Sequence, residues 1–209
     1  MTTFRPLSPH ALADWLTELL LARASTHPLR VAVDGPFCAH PSEIASAVAG
    51  RLRGHGRESV VLAADQFWRD ASVRLEFGRT DADAYFEGWL DAGALTREVL
   101  TPLVESLRYL PSLRDPVSNR SSRAGYQTVG ANAVVFVCGD LLLGHGWPFD
   151  VSVHLDLSAP ARARRTTVDR QWTLPAYVRY DDEVDPNAVA DVVIRWDDPL
   201  RPALYQPPR

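Results

Sequence analysis

Leu29-Arg30-Val31-Ala32-Val33-Asp34-Gly35-Pro36-Phe37-Cys38-Ala39-His40-Pro41-Ser42 decides how this chain is read. The apolar residues from Leu29 to Val33 form a buried-strand pattern. Ile44, Ala45, Val48, Ala49 and Leu52 then recur at helical spacing until Gly54-His55-Gly56 ends the helix. A strand, a glycine-bearing turn and a helix are the setting of the phosphate loop G-x-x-x-x-G-K-[S/T]. Gly35 and Ser42 hold its first and last positions, His40 stands at the second glycine, and Pro41 replaces the lysine. No other lysine can substitute, because all 22 basic residues are arginine. Arginine stays charged and offers a planar fork in place of a titratable amine. The plain alternative is an ordinary strand-to-helix turn, with Gly35 at the bend, Pro41 at N1 and Ser42 in the first turn.

Strands alternate with helices on either side of this stretch. Ser8-Pro9 reads as N-cap and N1 of a helix carrying Trp15 and several leucines. Further strands are expected at Ser59–Ala64, Ala133–Cys138, Val151–Leu157 and Asp191–Arg195. Asp81–Leu90 and Asp91–Leu107 read as helices, each N-capped by its aspartate. Residues 108–130 carry prolines, serines and arginines and read as a long surface excursion. Arginine-rich helical material follows from 160 to about 172, and the proline-rich tail, about 197–209, is expected to be extended. The expected fold is α/β, three-layered, with a central parallel sheet, in one domain spanning residues 1–209. Ligands in such sheets bind beyond the carboxyl ends of the strands. Those ends carry Asp34–Ser42, Asp65–Trp68, Cys138–Asp140 and Asp156–Ser158.

Bulk composition narrows the partners. A net charge of −4 gives no general reason to expect nucleic acid. No apolar run approaches the ~20 residues of a spanning helix, so no membrane is expected. Two distant cysteines, Cys38 and Cys138, make no disulfide framework, which favours a reducing cytoplasm.

In order and spacing, these segments resemble the uridine kinase-like branch of the P-loop nucleoside kinases over roughly residues 10–202. Arg30–Ser42 is similar to the family's strand and phosphate loop, and Val60–Arg69 to the segment bearing its first catalytic acid, at Asp65. Asp81–Leu103, Ala133–Leu143, Phe149–Leu157 and Tyr180–Leu200 match four later segments. The resemblance implies transfer of the ATP γ-phosphoryl group to a hydroxyl of a nucleoside or small metabolite, using Mg2+ and an arginine-bearing lid at about 160–180. It assigns Asp65 as base and Ser42 as magnesium ligand. It places Arg164, Arg165 and Arg170 in the lid, and Arg79, Asp81, Asp83, Tyr85 and Asp115 around an acceptor.

The chain departs from that pattern where charge matters most, and phosphoryl transfer depends on positioning and charge stabilisation. Pro41 removes both the lysine and one backbone N–H from the helix start. His40 replaces a glycine, Cys138 stands at the Walker B acid with Asp140 as a displaced substitute, and Val168 stands at a lid arginine. The expectation is a degenerate ATP site binding a nucleoside, a phosphorylated metabolite or a partner, with a homodimer left open. ATP and Mg2+ belong only to the other reading, a divergent kinase acting on a hydroxyl.

Simpler roles compete at each position. Asp65 could cap the next segment, the lid arginines could be a solvated helix face, and the tryptophans could be core. Cys38, His40 and Cys138 together could hold a soft metal, against which stands the readiness of cysteine to be buried.

Overall fold

The computed structural model describes residues 4–205. Strand β1 (Arg5–Pro6) precedes helix α1 (Pro9–Leu21), whose N-cap Ser8 accepts the N–H of Ala11 at 3.1 Å. β2 (Leu29–Asp34) leads through a short 3-10 turn into α2 (Pro41–Gly54), and β3 (Ser59–Ala63) follows. Short helices α3 (Ala71–Arg74) and α4 (Ala82–Gly88) come next, α4 being capped by Asp81. α5 (Ala92–Leu95), capped by Asp91, continues through a π turn (Thr96–Leu100) into α6 (Thr101–Ser106). The expected helix over 91–107 is therefore one rod with a wide turn inside it.

The remaining elements complete the sheet. β4 (Arg108–Tyr109) pairs with β5 (Gln127–Thr128), so the excursion at 108–130 is closed at its base as a ribbon. β6 (Val134–Gly139) and β7 (Val151–Asp156) are followed by α7 (Ala159–Arg165), a 3-10 segment, α8 (Leu174–Glu183) and α9 (Pro186–Val189). β8 (Val192–Arg195) and β9 (Ala203–Tyr205) end the described chain.

The main sheet has the order β1-β9-β8-β7-β2-β6-β3, with β8, β7, β2, β6 and β3 mutually parallel. β9 runs antiparallel to β8, and β1 antiparallel to β9. The central parallel sheet is as expected, with two antiparallel strands added at one edge, and residues 203–205 of the tail, expected to be extended, pair as one of them. Residues 206–209 lie outside the described residues.

Alternation along each strand builds the layers. Val134, Phe136 and Cys138 of β6 join Val31 and Val33 of β2 beneath α1 and α2. Ala133, Val135 and Val137 face the opposite way, against Leu95, Val99, Leu100 and Leu103. A third cluster gathers Ala32 and Val193 with Tyr85 and Trp89 of the α4 region and Tyr177 and Tyr180 of α8. Parallel register brings the ends of β2, β6 and β3 together, with Asp34 opposite Gly139 and Ala63 opposite Cys138. No helix among the described residues is long and apolar enough to cross a membrane.

Candidate functional site

The loop after β2 bonds several of its backbone donors within the protein. Gly35 has no room for a side chain, since a Cβ there would lie 2.8 Å from Leu155 Cβ. His40 adopts the left-handed conformation (φ 55°, ψ 58°) that would suit the glycine it replaces. The N–H of Phe37 donates to the Tyr177 hydroxyl at 3.2 Å. Those of Ala39 and His40 donate to the carbonyls of Pro36 (2.7 Å) and Phe37 (3.2 Å). Pro41 has no N–H. The loop carbonyls are held as well: Arg165 donates to Cys38 O at 2.7 Å, and the Trp196 indole to Ala39 O at 3.0 Å.

Beside this loop lies a cavity of about 280 Å3, bounded by His40, Pro41, Ser42, Asp65, Cys138 and Asp140 among others. Three of the four expected strand-end segments meet here. The fourth does not line this cavity; Asp156 and Leu157 border Gly35 and Pro36 in a separate small pocket, and Asp156 pairs with Arg195 at 2.9 Å. Asp65 Oδ1 is buried without a hydrogen-bond partner. Burial raises the Asp65 pKa, opposed by hydrogen bonds from Gln66 and by the charge of Arg170.

Asp140 accepts hydrogen bonds from the hydroxyls of Tyr177 (2.6 Å) and Tyr85. Burial pushes its pKa upward against those two bonds. Ser42 hydrogen-bonds the Cys138 sulfur, and burial drives the Cys138 thiol well above its usual range. Beneath the loop, buried Asp34 contacts His154 Nδ1 at 2.6 Å and accepts the Tyr180 hydroxyl at 3.1 Å.

The lid arginines are dispersed. Arg164 is exposed. Arg165 is engaged on the two carbonyls of Cys38 and Trp196. Arg162 pairs with Asp181 at 2.5 Å. Arg170 stacks over the exposed Phe37 ring at 3.9 Å, and it is the lid arginine whose charge reaches Asp65.

On the acceptor side, Asp81 is occupied as the cap of α4, Asp83 pairs with Arg179 (2.7 Å), and Arg79 is exposed. Tyr85 is buried and bonded to Asp140. Asp115 sits in the β4–β5 excursion, accepting the N–H of Val117 at 3.1 Å and of Ser118 at 2.5 Å, and backbone bonding lowers its pKa. Its charge nevertheless reaches Asp65. The excursion is pinned by Gln66, whose carbonyl accepts the N–H groups of Leu113 and Arg114, both at 3.1 Å, and whose side chain accepts the Ser112 hydroxyl.

Gln66 and Tyr177 were not among the residues expected from sequence. Nothing in the sequence singles out Tyr177, and Gln66 is marked only by standing where the resembled family carries a second acid.

A magnesium–triphosphate group, which the resemblance implies, would need loop N–H donors, a cation near the β- and γ-phosphates and metal-binding oxygens. The donor set here does not fit it. Three loop N–H groups are bonded within the protein, Pro41 supplies neither donor nor charge, and Asp140 is occupied by two tyrosines. Among the described residues no group of three or more His, Cys, Asp or Glu side chains is placed to hold a metal, the Cys38/His40/Cys138 trio included.

No protein-family model and no curated protein matches the chain. Solved structures do match in fold. A possible uridine kinase from Bacillus stearothermophilus aligns with a TM-score of 0.72 at 22% identity, covering 87% of this chain and 96% of that one. A candidate fructose transport system kinase from Silicibacter sp. TM1040 gives 0.60 at 21% identity, covering 84% and 89%. D-glycerate 3-kinase from Cryptococcus neoformans gives 0.53 at 14%, covering 82% and 80%. The chain has the P-loop kinase-like fold.

Proposed function

We propose that this protein is a P-loop kinase-like binding protein whose loop cavity takes a small polar ligand, such as a nucleoside or small metabolite, without ordinary ATP-dependent phosphoryl transfer. The observation that carries the reading is the commitment of the loop's donors, led by the Phe37 N–H on the Tyr177 hydroxyl. A phosphate entering the loop would have to break bonds the protein already makes, with no lysine to offset them. Calorimetric titration with Mg–ATP tests this: negligible heat at millimolar nucleotide is expected. Submillimolar binding abolished by Ser42→Ala would overturn it.

One observation favours a second reading, a divergent kinase phosphorylating a hydroxyl of a nucleoside or small metabolite. Asp65 faces the cavity with a raised pKa and an unpartnered oxygen, which suits a group accepting a hydroxyl proton. That reading requires turnover on a panel of nucleosides and sugars, lost in Asp65→Asn. A panel without turnover leaves the binding reading in place.

A further inference from the structure

The seven-stranded sheet treats its two edges differently. β1 closes one of them with two exposed residues, Arg5 and Pro6, a charge and a proline of the kind that blunt strand pairing. β3 forms the other edge, and Ser59-Val60-Val61-Leu62-Ala63 includes neither. A strand in a parallel ladder engages alternate residues with its neighbour. The Val134 N–H donates to Glu58 O at 2.9 Å, so β3 spends the backbone groups of Val60 and Leu62 on β6. Those of Ser59, Val61 and Ala63 point to the free edge. Arg53 takes the Ser59 carbonyl at 3.1 Å, while the Val61 N–H and C=O and the Ala63 N–H meet no partner among the described residues. Val60 and Val61 are only partly buried and pack on opposite faces of the sheet. An open row of donors and acceptors is therefore flanked by apolar side chains on both sides.

We propose that this edge is the interface with a second copy of the chain, the two β3 strands pairing antiparallel about a dyad at Val61. Self-complementarity selects a copy over an unrelated strand. The dyad sets Val61 against its own counterpart and Ser59 against the second copy's residue 63, so outward donors meet outward acceptors. Charge agrees with this direction. Arg53 and Arg57 outnumber Glu58 at the amino end of β3, Asp65 stands just past its carboxyl end, and antiparallel pairing opposes these two ends. The apolar surface left on Val60 and Val61 of both copies is covered at the same time. Because the strands run opposite ways, the two loop cavities lie at opposite ends of the joined sheet. The proposal is independent of what those cavities bind.

Sedimentation equilibrium of the full-length protein is expected to show a species of twice the chain mass by about 100 µM. Amide hydrogen exchange on 15N-labelled protein at that concentration then locates the contact. The Val61 and Ala63 amides are expected to exchange at least about a hundredfold more slowly than in an unstructured peptide. Val61→Pro deletes an N–H that β6 does not use, and is expected to keep the native circular dichroism while returning the protein to monomer. A monomer at about 100 µM would leave the edge to some other occupant and overturn the proposal. A dimer whose Val61 and Ala63 amides exchange at the free-peptide rate would overturn it as well, as would a dimer that survives in folded Val61→Pro protein. Should that variant not fold, mass and exchange on the unmodified protein decide the matter alone.

Discussion

Tyr177 accepts the backbone N–H of Phe37 at 3.2 Å while donating its own proton to Asp140 at 2.6 Å. One hydroxyl on α8 thereby ties the loop after β2 to the residue just beyond β6. Tyr177→Phe leaves the ring in place and removes both bonds. It is expected to destabilise the fold by about 1–3 kcal/mol in urea unfolding, since a buried N–H and a carboxylate each lose a partner. An unchanged midpoint would mean that water replaces the hydroxyl at no cost.

Restoring the missing loop chemistry is the direct test of why the site fails to fit a triphosphate. His40→Gly alone relieves a left-handed backbone that costs an L-residue about 1–2 kcal/mol, offset in part by glycine's unfolded-state freedom. A small rise in melting temperature is therefore expected. Adding Pro41→Lys returns an N–H and a cation, and Mg–ATP affinity is expected to rise at least about tenfold over the unmodified protein. Calorimetry reads both. No gain in the double variant would assign the block to the bonds from Tyr177, Arg165 and Trp196.

Asp65 sets a pH dependence of definite sign. Burial raises its pKa above the ordinary 3.8, so the folded state holds the proton more tightly than the unfolded chain. Its contribution to stability is fully present below about pH 4 and is lost as pH rises through the folded value. Asp65→Asn removes that loss. Melting temperature is expected to rise for the variant relative to the parent near neutral pH, with the difference vanishing in acid. A difference independent of pH would refute the assignment to ionisation.

Close backbone approach at the strand ends leaves no slack. A Cβ on Gly139 would lie 2.7 Å from Ala64 Cβ, so Gly139→Ala is expected to cost about 1–3 kcal/mol through overpacking. Ala64→Gly in the same chain should recover part of that loss in denaturant titrations. Additive losses in the pair would locate the strain elsewhere.

The parallel core was legible because β6 is a continuous apolar run and β2 and β7 carry valine or leucine at most of their buried positions, and because Ser8, Asp81 and Asp91 announce helix starts through their capping chemistry. β9 was not, since three residues among prolines carry no periodicity of their own and become a strand only against the free edge of β8. The ribbon at 108–128 escaped for a similar reason: its path is set by the Gln66 carbonyl, a long-range acceptor that composition does not reveal. At the candidate site, the substitutions at 40, 41 and 138 could be read directly as lost charge and lost N–H groups. That the Phe37 N–H is bonded within the protein depends on Tyr177, whose residue type reads equally well as core.

The β1–β9 pairing has a consequence for how the fold comes apart. Phe4 and Tyr205 stack at 5.5 Å, and Leu7 N–H donates to Pro202 O at 2.9 Å, so segments some 200 positions apart fasten each other as a clasp on the flank of β8. Fraying at either segment strips its mate of backbone partners, and trimming a handful of residues on one side should loosen both.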